Sequence, residues 1–382
     1  MSNIEIEYNK YKKKYIIFGG QNINAIFMIC FLKDHYVLGA CISAYTHKQY
    51  INKLNLNVHV VIMCDKYIYD KYNKLLSKYF DRVIKIKLRS FKLSESYNFV
   101  KHKYNSWIRY SLSKWTFLKY EEYNKILFID IDILPNNIHF YDLFHFNTPA
   151  FYNQNKNRIC ENSKPFQYNI NFSYNEYIKN LWKKIGSIDG GICLFTPSKQ
   201  IYKEYVTFSN ELYKNGIYSI LESGPDETSL FYFSLKKYKK LTDICNEYSV
   251  IPWDHPEFVK DAKAYNFLSW FKPWIKPLFL CWKEESLWRD IYNIMPHYEN
   301  IEELLYKCLI EYIYKLKSIK NRKTIKRTNN LEFMRKYKKD FKKVFISTNL
   351  KNIKLLESKI IFDDYGILNK KKITKNNFVQ GN

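Results

Sequence analysis

The sequence predicts an α/β fold, a Rossmann-like, mainly parallel sheet with helices on both faces, followed by a helical, basic C-terminal extension. Three observations carry this. Apolar, β-branched runs of strand length occur at Ile23–Phe31 and Val58–Met63, with a shorter one at Arg82–Ile86. Helical spacing falls after the first of them, at Val37, Leu38, Cys41, Ile42 and Tyr45, giving the β-α-β-α-β order of a parallel sheet covered on both sides. The chain has 382 residues and is 46% hydrophobic, enough for one large α/β domain and an appendage.

Residues 1–22 read as an N-terminal extension and residues 23–282 as the main domain. Leu75–Phe80 suggests the end of a second helix. A helix over Ser111–Tyr120 precedes a strand over Lys125–Asp132, which Pro135 and the two asparagines after it are expected to stop. The polar stretch Asn153–Phe172 reads as a long loop. Ile192–Phe195 is the next strand, a helix starts at Ser198 and runs to about Tyr213, and another covers Asp226–Leu235. Residues 283–368 read as a helical, Lys-rich extension. There Asn300 and Glu303 resemble a capping box, and Ile301, Leu304, Leu305, Cys308, Leu309 and Tyr312 form an apolar helix face. A basic helix is expected over Leu331–Lys343, and residues 369–382 read as a disordered tail.

The formal charge is +25. Residues 301–382 carry 21 Lys and Arg against 8 Asp and Glu, so about half of the excess sits in the last fifth of the chain. Such a region offers a surface for nucleic acid, an anionic membrane or an acidic protein, or simply solvated helix faces. The eight cysteines form no C-x-x-C pair, and several lie in apolar runs such as Gly191–Phe195, so buried, reduced thiols are expected. No run approaches the roughly 18 apolar residues of a membrane span, and the first fifteen residues are studded with Lys and Glu. A cytoplasmic protein is the expectation.

Chemistry is concentrated at Phe128-Ile129-Asp130-Ile131-Asp132. Apolar residues make a buried strand, and two carboxylates follow at its C-terminal end, where open α/β sheets bind ligands. In a strand, residues two apart face one side, so Asp130 and Asp132 are expected to converge. Crowded carboxylates repel unless a cation or hydrogen-bond donors neutralise them. A hard divalent ion does so and leaves positions for two phosphate oxygens, where it acts as a Lewis acid on a nucleoside diphosphate leaving group.

With these residues in place, the chain resembles glycosyltransferase family 8, the glycogenin-like retaining enzymes of GT-A fold, over roughly Phe31 to Trp274. Several blocks occur in that family's order. Lys33–Ala40 looks like its first nucleotide-contacting loop, with Phe31, Leu32, Lys33 and Tyr36 around the base. Lys114 looks like its lysine near the donor, Ile188–Ile192 like its N-S-G-V segment beside the donor sugar, and Gly224–Glu227 like its G-G-D-Q segment. Lys272-Pro273-Trp274 looks like its K-P-W, whose lysine contacts the diphosphate.

The resemblance implies transfer of a hexose from a UDP-sugar to a hydroxyl of a protein or glycan acceptor, a self-acceptor included, with Mn²⁺ or Mg²⁺. It implies metal ligation by Asp130 and Asp132, with Ile131, Gly190, Gly191 and Glu227 lining the donor. Asp226 is the candidate nucleophile or oxocarbenium stabiliser, and Asp189 the second catalytic candidate. The family's third metal ligand is a histidine six residues before the K-P-W lysine. Here that position is Asn266, whose amide oxygen can ligate, with His255 as the alternative. Asp189 and Glu227 stand where the family has amides. A homodimer is compatible with this reading. Two other readings stay open: a nucleotide-sugar-binding scaffold with weakened catalysis, and a nucleic-acid-binding protein acting through the basic C-terminus.

Overall fold

A computed structural model describes residues 23–91, 107–153, 166–169, 188–214, 224–238, 240–252, 256–268, 272–275, 283–305, 307–308 and 311–312. The predicted helix over Leu331–Lys343 and the tail lie outside these residues, as does His255. The chain divides into two units. One contains the described residues up to Leu32 and Ser43–Asn266, the other Lys33–Ile42 and the described residues from Phe267 onward.

The first unit is built on an eight-stranded sheet, ordered β3-β2-β1-β4-β8-β6-β9-β7. Its strands are β1 (Asn24–Cys30), β2 (Val58–Cys64), β3 (Arg82–Lys85), β4 (Ile126–Ile129), β6 (Ala150–Asn153), β7 (Phe166–Asn169), β8 (Ile188–Phe195) and β9 (Lys240–Ile244). The first four pair in parallel, with Asn24 opposite Val58 and Ala25 opposite Ile126. Parallel neighbours need crossover connections, here the helices α1 (His35–Leu54) and α2 (Lys66–Leu76). Asp65 starts α2 as its N-cap, its carboxylate accepting from the Ile68 N–H at 3.0 Å. In the other half, β4–β8, β8–β6 and β9–β7 are antiparallel and β6–β9 parallel.

Alternate residues of these strands enter one aromatic core with α3 (Lys199–Lys214), α4 (Pro225–Lys237) and a 3-10 helix at Ile108–Lys119. Phe117 stacks on Phe128 at 5.5 Å, and Trp115 meets the same ring edge-on at 5.5 Å. The opposite faces are equally dry, since Ile26, Met28, Val60, Ile62 and Leu127 are also fully buried. The continuous apolar runs therefore mark strands covered on both sides, as expected.

Four local expectations change. The helix predicted over Ser111–Tyr120 is a 3-10 helix, Ile108–Lys119, nine of its twelve residues buried. The strand predicted to reach Asp132 ends at Ile129. Residues 130–132 form a turn closed by the Ile133 N–H on the Asp130 carbonyl at 3.1 Å, and the chain re-enters a strand, β5 (Ile133–Pro135). β5 pairs with β10 (Ala264–Asn266) in a separate ribbon, so Pro135 lies within a strand, at its last residue, where its missing N–H is tolerated. Within the predicted loop Asn153–Phe172, β7 forms the outermost strand of the sheet.

In the second unit, residues 301–305 are helical as expected, with Ile301, Leu304, Leu305, Cys308 and Tyr312 buried. Asn300 adopts φ 71°, not the extended conformation of a capping residue, and Glu303 pairs with Lys307 at 2.8 Å. Trp274 packs on Trp288 at 4.8 Å and on Tyr36 at 5.6 Å. Gly39 admits this indole, because a Cβ there would lie 2.7 Å from Trp274 Cδ2. The Lys33–Ala40 and Lys272–Trp274 blocks therefore share one unit. α5 (Lys283–Ile294) supplies Trp288. Among the described residues no helix is long and apolar enough to cross a membrane, and six cysteines are free and buried.

Candidate active site

The site lies at the C-terminal end of β4, where three segments remote in sequence meet. Lys114, from the buried 3-10 helix, places its Nζ 3.0 Å from Asp130 Oδ1 and 3.2 Å from Asp226 Oδ2. Burial opposes the lysine charge, but the carboxylates of Asp130, Asp226 and Glu227 outweigh it and hold Lys114 well above the usual lysine range. Burial pushes the Asp130 carboxyl up to about 6; Lys114 pulls it back and Asp132 adds to the rise. A third of the Asp130 side chain still faces solvent, so the charged form remains accessible to a ligand.

Asp226 sits in the first turn of α4. Gly224 is the N-cap and Pro225 opens the helix, so Asp226 is not the cap. Its backbone is clamped by Trp115 Nε1 at 2.9 Å and Ser229 Oγ at 3.0 Å, both donating to its carbonyl. Glu227 reaches back to accept from the Gly224 N–H at 3.0 Å and from the Gly190 N–H at 3.1 Å, joining α4 to β8. Burial, then the charges of Asp226 and Asp189, push the Glu227 carboxyl up to about 8.

β8 is irregular at this point. Pairing with β6 shifts from Phe151 opposite Cys193 to Tyr152 opposite Asp189, a bulge of the kind that re-aims side chains near binding sites. The two glycines there stand where neighbouring side chains leave no room for a Cβ without a shift. A Cβ on Gly190 would lie 2.5 Å from Glu227 Cγ, and one on Gly191 would lie 2.9 Å from Asp189 Oδ1 and 3.5 Å from Asp130 Oδ2. Asp189 is buried, its Oδ1 accepting from the Gly191 N–H at 2.7 Å and its Oδ2 from Asn266 Nδ2 at 3.2 Å. Asn266 Nδ2 also donates to Ser249 Oγ at 3.1 Å. Backbone pairing sets Asn266 opposite Ile133, the residue after Asp132.

The structure thus brings Lys114, Asp130, Asp189, Gly190, Gly191, Asp226, Glu227 and Asn266 into one continuous network. Asp132 is buried in the turn beside it, and Ile131 is buried too. Asp130 and Asp132 come together through a turn, not through the two-residue alternation of a strand. Phe31 packs against the core. Leu32 adopts φ 64°, rare for a side chain of this kind, and donates its N–H to Asp65 Oδ2 at 3.3 Å. Lys33, Tyr36 and Lys272 belong to the second unit, where Lys272 is buried and Tyr36 faces Trp274.

Sequence reasoning missed Asp65 and Ser249. The signal for Asp65 is an acid at the boundary between an apolar strand and a helix. Ser249 carries none.

The donor set is oxygen-rich, which suits a hard divalent cation. Among the described residues no group of three or more His, Cys, Asp and Glu could hold a metal ion. Asp130 and Asp132 offer carboxylate oxygens and Asn266 an amide oxygen, donor types that such a cation accepts.

No family model matches the chain, and no curated protein matches it. Among solved structures it is similar to the galactosyltransferase LgtC in complex with donor and acceptor sugar analogs, with TM-score 0.45 and 13% identity over 73% of this chain and 99% of that one. It is also similar to a glycosyltransferase involved in the glycosylation of the major capsid of PBCV-1, with TM-score 0.36 and 10% identity over 71% and 100%. A third is core-mannan synthase A from Aspergillus fumigatus in its Mn/GDP form, with TM-score 0.34 and 10% identity over 56% and 70%. What the site can do is decided by its own side chains.

Proposed function

We propose that the chain is a retaining, glycogenin-like nucleotide-sugar glycosyltransferase that moves a hexose from a UDP-sugar to a hydroxyl of a protein or glycan acceptor. The observation that carries this is the double ion pair of Lys114 with Asp130 and Asp226. Two blocks that occur in family 8 order, around Asp130 and Asp226, meet on the ammonium group of a third, Lys114.

In this reading Asp130 and Asp132, with the Asn266 amide oxygen, hold Mn²⁺ or Mg²⁺, which when bound supplies Lewis-acid stabilisation of the departing diphosphate. Lys114 pairs with Asp226 at 3.2 Å. The Asp226 carboxylate suits either role in retention, attack on the anomeric carbon or stabilisation of an oxocarbenium-like centre. Gly190 and Gly191 leave space for the donor sugar against backbone. Phe31 and Leu32 contact the base.

The test is UDP release from a panel of UDP-hexoses, with and without Mn²⁺. Turnover is expected only with metal, and Asp132→Asn is expected to lower kcat/KM by about 100-fold, the scale of losing one electrostatic contact to developing charge. Donor binding without turnover, unchanged in Asp132→Asn, would instead favour the scaffold reading, which Asn266 in place of the family's histidine motivates.

A further inference from the structure

Ser249 closes the short 3-10 turn Asn246–Tyr248 and is fully buried. Its hydroxyl oxygen lies 3.1 Å from Asn266 Nδ2, and the same nitrogen lies 3.2 Å from Asp189 Oδ2. Both Asp189 oxygens accept, Oδ1 from the Gly191 N–H and Oδ2 from this nitrogen, so the amide faces Asp189 with its nitrogen and turns its oxygen away. A primary amide has two hydrogens. One goes to Asp189 and one to Ser249, which leaves Oδ1 as the polar atom of this side chain with no partner among the described residues.

The backbone fixes the rest. The Asn266 N–H donates to the Val250 carbonyl at 2.7 Å, and β10 aligns Asn266 with Ile133 at the end of the Asp130–Asp132 turn. With its side chain buried, the amide is held in this orientation. The consequence is chemical. An amide oxygen is a hard neutral ligand for Mg²⁺, Mn²⁺ or Ca²⁺, whereas the amide nitrogen, acting as a donor, repels a cation.

We infer that Ser249 is a positioning residue which, with Asp189, presents the amide oxygen of Asn266 to the cation of the donor complex. This rests on the reading of Asp130 and Asp132 as its carboxylate ligands. Without the Ser249 hydroxyl, one amide hydrogen is released, and the orientation is held by Asp189 alone.

The experiment is a Mn²⁺ titration of the full chain in the presence of UDP, followed by the electron paramagnetic resonance of free Mn²⁺. Ser249→Ala is expected to weaken Mn²⁺ affinity about tenfold, the lower end for an outer partner of a metal ligand. UDP affinity without metal should stay unchanged, which a general loss of structure would not allow. In the Asn266→Ala background the same substitution should cause no further loss, because the two residues act through one atom. Should Ser249→Ala fail to fold, Ser249→Cys, close in shape but a poor acceptor, is expected to weaken the affinity in the same direction.

Wild-type affinity in Ser249→Ala, or losses that simply add to those of Asn266→Ala, would overturn the inference and leave the donor-site reading standing. A wild-type chain that takes up no Mn²⁺ with UDP, or an Asp132→Asn variant that binds it unchanged, would overturn both.

Discussion

Strand β4 and the turn after it are adjacent in sequence and opposite in physics. Ile126 to Ile129 are fully buried among aromatic rings, while Asp130, one residue on, enters a network of carboxyls around a single ammonium group. The first region gains stability from apolar area removed from water and tolerates no gap. The second is held by directed contacts between charged groups, whose burial opposes stability unless each is paired. Core and site are thus separable in what their substitutions should do.

The largest effect should come from the core. Phe128→Ala removes the ring that Phe117 stacks on and Trp115 meets edge-on. It should lower unfolding free energy by about 3–5 kcal/mol, read from denaturant midpoints. Metal affinity of the fraction still folded should be unchanged, and a parallel loss of Mn²⁺ binding would show that the two regions are one.

Next is Lys114→Met, which keeps the apolar stem and removes the charge. It leaves Asp226 buried with its ion-pair partner gone, a loss of about 3 kcal/mol for the chain without metal. Added Mn²⁺ with UDP should recover part of that loss, since a cation bound at Asp130 restores positive charge nearby. No recovery would separate Lys114 from the metal site.

Gly190→Ala is smaller. The added methyl meets Glu227 Cγ at 2.5 Å, so the side chain must shift and its hydrogen bonds to β8 and the helix cap weaken. A destabilisation of about 1–3 kcal/mol is expected, with donor binding impaired more than stability.

The mildest test is pH. Burial raises the folded-state Asp130 carboxyl to about 6, above its unfolded value near 4. Its contribution to stability without metal is therefore present at low pH and is lost as pH rises through about 6. The cation takes the ionised form, so Mn²⁺ affinity moves the other way and should rise about tenfold between pH 5 and pH 7. Asp130→Asn should flatten both trends.

Much of this was legible in order along the chain. Unbroken apolar runs at residues 23–31 and 58–63 identified strands covered on both faces, because no alternating pattern can serve a strand without a solvent side. The acids at 130 and 132, the glycine pair at 190 and 191, and Asp226 after Gly224-Pro225 each carried a local signal. The turn that breaks β4 at Asp130 carried none, since Ile131, Ile133 and Leu134 continue the apolar pattern of the strand without interruption.

The sequence by itself determined which residue types reach the ends of which strands, because strand length and burial follow from local periodicity. Tertiary structure decided what those residues do to each other. Lys114 bridging Asp130 and Asp226, Glu227 tying Gly190 to Gly224, and Ser249 turning the amide of Asn266 are contacts between segments up to 112 residues apart. Their geometry depends on sheet order and on a bulge in β8. No local pattern encodes either, because both arise from how whole elements pack.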